Sequence, residues 1–215
     1  MLFFASGLEG KDFIIVSISF ILVIALSLSL HEFAHAFAAY KSGDTTPKMQ
    51  GRVTLNPMAH IDPIGFVCCA LFGFGWAKPV LINPANFRNV KKGSAWTSVA
   101  GVIMNLILAF LGYGLYCVVS LIQSNAVLVV LLANFFYYLF VINVCLAVFN
   151  FLPIYPLDGF RFVETITKYN NSYVNFMRKY GSICLIILII FFDALLVSLI
   201  GYVCMPIMWF WNLIF

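Results

Sequence analysis

His31-Glu32-Phe33-Ala34-His35 sets two imidazoles four residues apart with a carboxylate between them. On a helix, side chains at i and i+4 share one face, one turn apart. Both rings can then close on a single Zn2+ at about 2.0–2.1 Å. Glu32, adjacent to His31, is poorly aimed to join them on the metal. It is placed instead to take a proton from a water beside the ion. The chain has 3 histidines, and two of them fall in this motif within a long apolar run. Ionisable groups at membrane depth are costly and by default functional. The implied chemistry is metal-assisted hydrolysis.

Two histidines are too few, because a catalytic zinc has three protein ligands and one open position. The remaining candidates are Asp44, His60, Asp62, Asp158, Glu164 and Asp193. Asp158 follows Pro153 and Pro156, which break the end of an apolar stretch, and precedes Gly159, which lets the backbone turn. His60 is expected to order the Asn56–Gly65 turn, and Asp62 to cap the short helix after it. Asp193 is read as a buried acid within the last span.

The elements that must position these groups are membrane helices. Of the 215 residues, 63% are hydrophobic and 9% charged, against about 45–50% and about 25% in soluble domains. A soluble fold of this size could not bury that much apolar surface, so the bilayer is its solvent. The net charge of +4 is spread without a long basic run, which sets nucleic acid aside. The 6 cysteines include no CxxC pair and read as small apolar residues with free thiols. The N-terminal apolar stretch begins after Lys11-Asp12 and runs into the motif, so it is not expected to be a cleaved signal.

Four stretches are long enough to span: 13–40, 96–122, 126–151 and one starting at Gly181 that Asp193 interrupts and Pro206 ends. The last piece, 207–215, is too short to span; its Trp209 and Trp211 suit an interfacial belt. Segment 61–76 is ambiguous. The basic stretches 41–52, 78–92 and 161–179 belong on the cytoplasmic side, and 123–125 outside. Segment 61–76 must then leave and re-enter on one side, covered by protein or lining a cavity. Parity supports Asp158 as the third ligand: out along 96–122 and back along 126–151, the chain returns it to the side of His35. The fold class expected is an all-α polytopic bundle with about four to six membrane segments, one of them re-entrant, forming one domain over 1–215.

The chain resembles the site-2 protease family of intramembrane metalloproteases, in its compact bacterial branch without PDZ or CBS modules. The resemblance covers most of Ser29 to Arg161. It rests on HEFAH at 31–35, NPMAHIDPIG at 56–65, GWAKPV at 75–80, AGVIMN at 100–105 and NFLPIYPLDG at 150–159. It implies one zinc held by His31, His35 and Asp158, with Glu32 as catalytic base. It also implies substrates that are transmembrane or membrane-adjacent protein segments. Asn105, with Gly101, matches the family's GxxxN motif, which is implicated near the substrate. Two departures are Val102 where the family often has Pro, and Phe160 where LDGGR has its second Gly; neither touches a ligand.

A helical peptide bond is shielded, so a substrate must unwind locally and should carry helix-weak residues near the cut. The re-entrant region is expected to hold the unwound strand by edge addition, with Asn105, Asn143 or Asn150 as side-chain partners. The multi-pass chain is expected in the cytoplasmic membrane, its site toward the cytoplasm, with lipid, a transmembrane substrate and a regulatory membrane partner as its associates. Its rivals are a metal transporter, for which no repeat is visible, and an inactive scaffold, which would lack ligands.

Overall fold

The computed structural model describes residues 10–72, 77–168 and 171–215. Among these the chain is all-helical: α1 Lys11–Ser42, α2 Thr46–Met49, α3 Pro63–Phe72, α4 Val90–Ser120, α5 Val127–Phe151, α6 Asp158–Ile166, α7 Ser172–Phe191 and α8 Asp193–Asn212. Five of them (α1, α4, α5, α7 and α8) are long and apolar enough to cross a membrane.

Three helices form the core. Ser19 Oγ on α1 donates to Leu131 O on α5 at 3.4 Å, and Asn143 Nδ2 on α5 donates to Ser27 Oγ on α1 at 2.7 Å. Both numbers rise together, so α1 and α5 run in the same direction. α4 runs against them, with Thr97 beside His35 and Gly101 beside His31. Apolar side chains gain little from meeting each other in lipid, so helix contacts depend on close backbone approach. The sequence supplies small residues for it: a Cβ on Gly112 of α4 would lie 2.9 Å from Phe140 N on α5. Beyond this point Ala109, Tyr113, Phe140 and Val144 form a cluster that α8 covers with Ile200, Val203 and Ile207. Trp211 Nε1 donates to Phe110 O at 2.9 Å, and Tyr113 OH donates to Asn212 Oδ1 at 3.0 Å. The outward faces carry exposed Ile14, Ile18, Leu22, Leu111 and Leu115, as lipid-facing surface should.

Three expectations change. The stretch read as one broken fourth span is two helices, α7 and α8, with only Phe192 between them. Pro206 does not end the second; it lies inside α8, which continues to Asn212. Membrane helices accommodate proline because neighbouring groups re-satisfy the freed carbonyl. Asp193 is not a buried acid: it is exposed, and its Oδ1 accepts from Ala194 N at 2.7 Å at the start of α8.

Segment 61–76 contains α3, whose 10 residues reach about 15 Å, half a bilayer core. Its two ends meet: Ile61 bridges Ala77 antiparallel, and Lys78 N donates to His60 O at 2.8 Å. The segment therefore comes back to where it left. Asp62 Oδ1 caps α3 through Gly65 N at 2.8 Å, and His60 Nε2 donates to Thr54 O at 2.9 Å in the preceding turn. Gly75 and Trp76, the first residues of the GWAKPV motif, lie outside the described residues.

Asp44 joins these loops to α1. Gly43 ends α1 with φ 117, where a side chain would be strained; a Cβ there would also sit 3.0 Å from Asn86 O. The next residue, Asp44, is fully buried. Its carboxylate accepts from Thr46 N at 3.0 Å, Thr46 Oγ1 at 2.6 Å, Asn83 N at 2.7 Å and Asn86 Nδ2 at 2.9 Å. Burial alone would raise its pKa, but these four donors outweigh burial and hold it below the usual carboxylate value.

Candidate metal centre

Three ligand atoms from distant parts of the chain converge. His31 Nε2 and His35 Nε2 lie 3.0 Å apart; Asp158 Oδ2 lies 3.0 Å from His35 Nε2 and 3.2 Å from His31 Nε2. All three residues are buried, with 5–8% of their surface exposed. Among the described residues they form the group of histidine, cysteine and acidic side chains close enough to hold a metal ion.

Protons cannot account for this triangle. His35 Nδ1 sits 2.7 Å from Thr97 O, and a carbonyl only accepts, so Nδ1 carries the proton. Nε2 of a neutral His35 then presents a lone pair to a carboxylate that also presents lone pairs. A proton on His35 Nε2 alone leaves the same conflict between His31 Nε2 and the carboxylate, and protons on both set two N–H groups against each other at 3.0 Å. A cation at the centre removes that repulsion, and the bond to Thr97 O is the outer contact that fixes a metal-binding tautomer. Bonds of about 2.0–2.1 Å in tetrahedral geometry separate ligand atoms by about 3.3 Å, close to the distances seen. The donor set of two imidazoles and a carboxylate suits zinc.

Local structure explains how Asp158 arrives. After α5 the chain turns through Pro153 and Pro156, and Asp158 opens α6, where the helix N-terminus favours a carboxylate. Burial by itself would raise its pKa; His35 first, then His31, outweigh burial and hold it well below the usual range. Gly159 has ordinary helical φ, so its role is space rather than a turn. A Cβ there would overlap Phe151 O and lie 2.5 Å from Leu152 O, at the end of α5. Phe160, the departure from the LDGGR pattern, is buried and meets the Tyr155 ring edge-on at 5.5 Å. Gly101 backs the other side of the centre. A Cβ on it would lie 2.5 Å from His31 Cε1 and 2.7 Å from His31 Nδ1, and would overlap His35 Nε2.

Glu32 lines a cavity of about 170 Å3 together with His31, His35 and Asp158, space for several waters at about 30 Å3 each. Pro79, Val80 and Ile82 of the non-helical stretch after Ala77 also line it, and Asn150 and Arg161 add polar groups. Of the three asparagines expected near substrate, only Asn150 lines this cavity. Asn105 is fully buried one turn beyond Gly101 on α4, and neither polar side-chain atom has a hydrogen-bond partner among the described residues. Asn143 is buried, and its amide hydrogens are committed to Ser27 Oγ and Leu139 O, which favours a helix tie.

The sequence reading missed Arg161, Thr97 and the tie made by Asp44. Arg161 had a visible signal: it stands three residues after Asp158 on one helix, hence on the same face. Thr97 acts through its backbone carbonyl, which leaves no mark in residue type.

The profile of peptidase family M50 matches residues 115–192, a stretch that contains Asp158 and lies beyond the HExxH motif. The chain is 40% identical over 148 residues to a Bacillus subtilis (strain 168) protein named "Putative zinc metalloprotease YwhC", covering 68% of each chain. Proteins of the same description named Rip2 are 35% identical over 153 residues in Mycolicibacterium smegmatis and 31% identical over 153 residues in Mycobacterium tuberculosis. In both, the match covers 67% of this chain and 57% of Rip2. No solved structure matches the chain significantly.

Proposed function

Because the chain belongs to peptidase family M50, an intramembrane zinc metalloprotease, we propose that His31, His35 and Asp158 hold one zinc ion and that Glu32 is its catalytic base. The observation that supports this is the three-atom triangle, whose buried donor set and spacing suit one shared cation. When bound, the metal supplies Lewis acidity and lowers the pKa of a water. Glu32 accepts the proton of the attacking water and passes it to the leaving amine nitrogen. Thr97 O keeps the His35 lone pair aimed inward. Gly101 lets both rings sit against α4.

The substrate is a transmembrane protein segment, unwound where it is cut. The non-helical stretch 79–82 lining the cavity offers backbone groups for strand addition, and the buried Asp44 ties its continuation, Asn83, to the end of the catalytic helix. Asn150 contacts substrate through its carbonyl oxygen and the second hydrogen of Nδ2, the first being donated to Leu146 O at 3.0 Å. Asn105 is a second polar contact, reached from deeper in the bundle. The chain resides in the cytoplasmic membrane with its site toward the cytoplasm, and a membrane partner regulates it.

Glu32→Ala tests the assignment. The variant should keep zinc at one ion per chain and lose cleavage of a transmembrane substrate in detergent. Cleavage persisting in Glu32→Ala, or zinc lost with the glutamate, would overturn it. A transporter would instead show zinc flux into vesicles that the variant abolishes.

A further inference from the structure

Arg161 is a cation at the metal cavity with no internal task. It stands on α6 three residues after Asp158, on the face that Asp158 turns to the metal centre, and it lines the cavity with an exposed side chain. Two carboxylates on the same short helix, each three residues away, are its natural intrahelical partners. Both are engaged elsewhere. Asp158 Oδ2 faces the two imidazoles. Glu164 accepts from Arg178 Nε at 2.8 Å, an ion pair that joins α6 to α7. The guanidinium of Arg161 makes no hydrogen bond or ion pair with any described residue.

No other Lys or Arg lines the cavity. Pro79, Val80, Ile82, Pro156 and Leu157 make much of the remaining lining apolar, and the Glu32 carboxylate that shares the cavity is assigned to the water-activating role. A planar, permanently charged fork in a partly apolar cavity recognises a carboxylate, bidentately. The positive-inside rule makes basic residues common at the cytoplasmic ends of membrane segments. An acidic group there therefore distinguishes one segment from the rest, and a lysine there is repelled.

We propose that Arg161 is a specificity-determining residue that selects substrates with a carboxylate near the scissile bond. This rests on the protease reading above. The carboxylate comes from an Asp or Glu side chain, or from a free chain end left by an earlier cut.

The test uses designed transmembrane peptides with a Gly-Pro break near the cytoplasmic end. One position at a time around the break carries Glu, Gln or Lys. A second set is truncated beyond the break and ends in a free acid or an amide. Peptide binding to Glu32→Ala protein is read by fluorescence anisotropy, and cleavage is followed with the active enzyme. Wild-type Arg161 should favour Glu over Gln at one register by about tenfold, the size of a charge-assisted hydrogen bond at a partly exposed site, or the free acid over the amide in the truncated set. Arg161→Glu should reverse the order, placing Lys above Glu, and Arg161→Lys should restore much of the acid preference. Unchanged charge preference in Arg161→Glu, by binding, would overturn the proposal. So would a preference that appears only in micelles containing anionic lipid, which would assign Arg161 to headgroups. Because binding is read in the Glu32→Ala background, a failure of cleavage with intact acid preference would count against the catalytic assignment alone.

Discussion

Gly101→Ala separates the metal centre from the fold. Alanine is the better helix former by about 0.8–1.0 kcal/mol, so α4 itself gains. The added Cβ, however, would stand 2.5 Å from His31 Cε1 and inside contact distance of His35 Nε2. Ordinary van der Waals contact begins near 3.5 Å, so something must move by about an ångström. The backbones of α1 and α4 are held together along the core, and the His35 ring is tied to Thr97 O. Overpacking of this kind costs about 1–3 kcal/mol. If the rings give way, that cost falls on metal binding. At about 1.4 kcal/mol per factor of ten, zinc affinity should drop by about 10- to 100-fold. The assay is competition with a chromogenic chelator on protein in detergent, alongside thermal unfolding of the metal-free form. Metal-free Gly101→Ala should melt within a few degrees of wild type. Gly112→Ala is the contrast: its Cβ meets the Phe140 backbone, so it should lower the melting temperature and spare zinc affinity. Zinc affinity within twofold of wild type in Gly101→Ala would refute the packing argument.

Further outcomes follow from the same contacts. Asp44→Asn should destabilise the loops around the site by about 2 kcal/mol at neutral pH, through loss of charge-assisted hydrogen bonds in a buried site. Because the folded carboxyl titrates below its unfolded value of about 3.9, that stabilisation is full above this value and fades as pH falls through the lower folded one. Melts of wild type and variant should therefore converge as pH falls below the unfolded carboxyl value and through the lower folded one; a constant gap would contradict the role. Asn143→Leu should loosen α1 from α5 by about 0.6–2 kcal/mol, read by denaturation, while zinc stoichiometry stays near one. Removing zinc with a chelator should abolish cleavage and leave helix content by circular dichroism nearly unchanged, since α1, α4 and α5 are also joined by contacts outside the centre.

Much of the site was legible because its chemistry is local in sequence. HExxH fixes its own geometry on a helix, and Pro-Leu-Asp-Gly marks a break where a carboxylate can enter. Counting crossings then brought Asp158 back to His35, and the meeting of Ile61 with Ala77 agrees with the return that count required. Errors arose where lipid changes the usual rules. Pro206 reads as a breaker in water but sits inside α8. Asp193 reads as buried inside an apolar run, yet it starts a helix at an exposed break. Gly159 was assigned to a turn, whereas the constraint is the approach of α5 carbonyls, a distance between elements that residue types do not encode. Arg161 and Asp44 were visible as charges. Their roles depend on which partners neighbouring groups have already taken.

The central claim is a single cation shared by imidazoles from α1 and a carboxylate from α6. Zinc K-edge absorption on the purified protein tests it most directly. The account requires one zinc per chain with nitrogen and oxygen neighbours at about 2.0–2.1 Å, outer-shell scattering from two imidazoles, and loss of the signal in Asp158→Ala. Sulfur neighbours at about 2.3 Å, drawn from the cysteines, or an unchanged spectrum in Asp158→Ala, would contradict it.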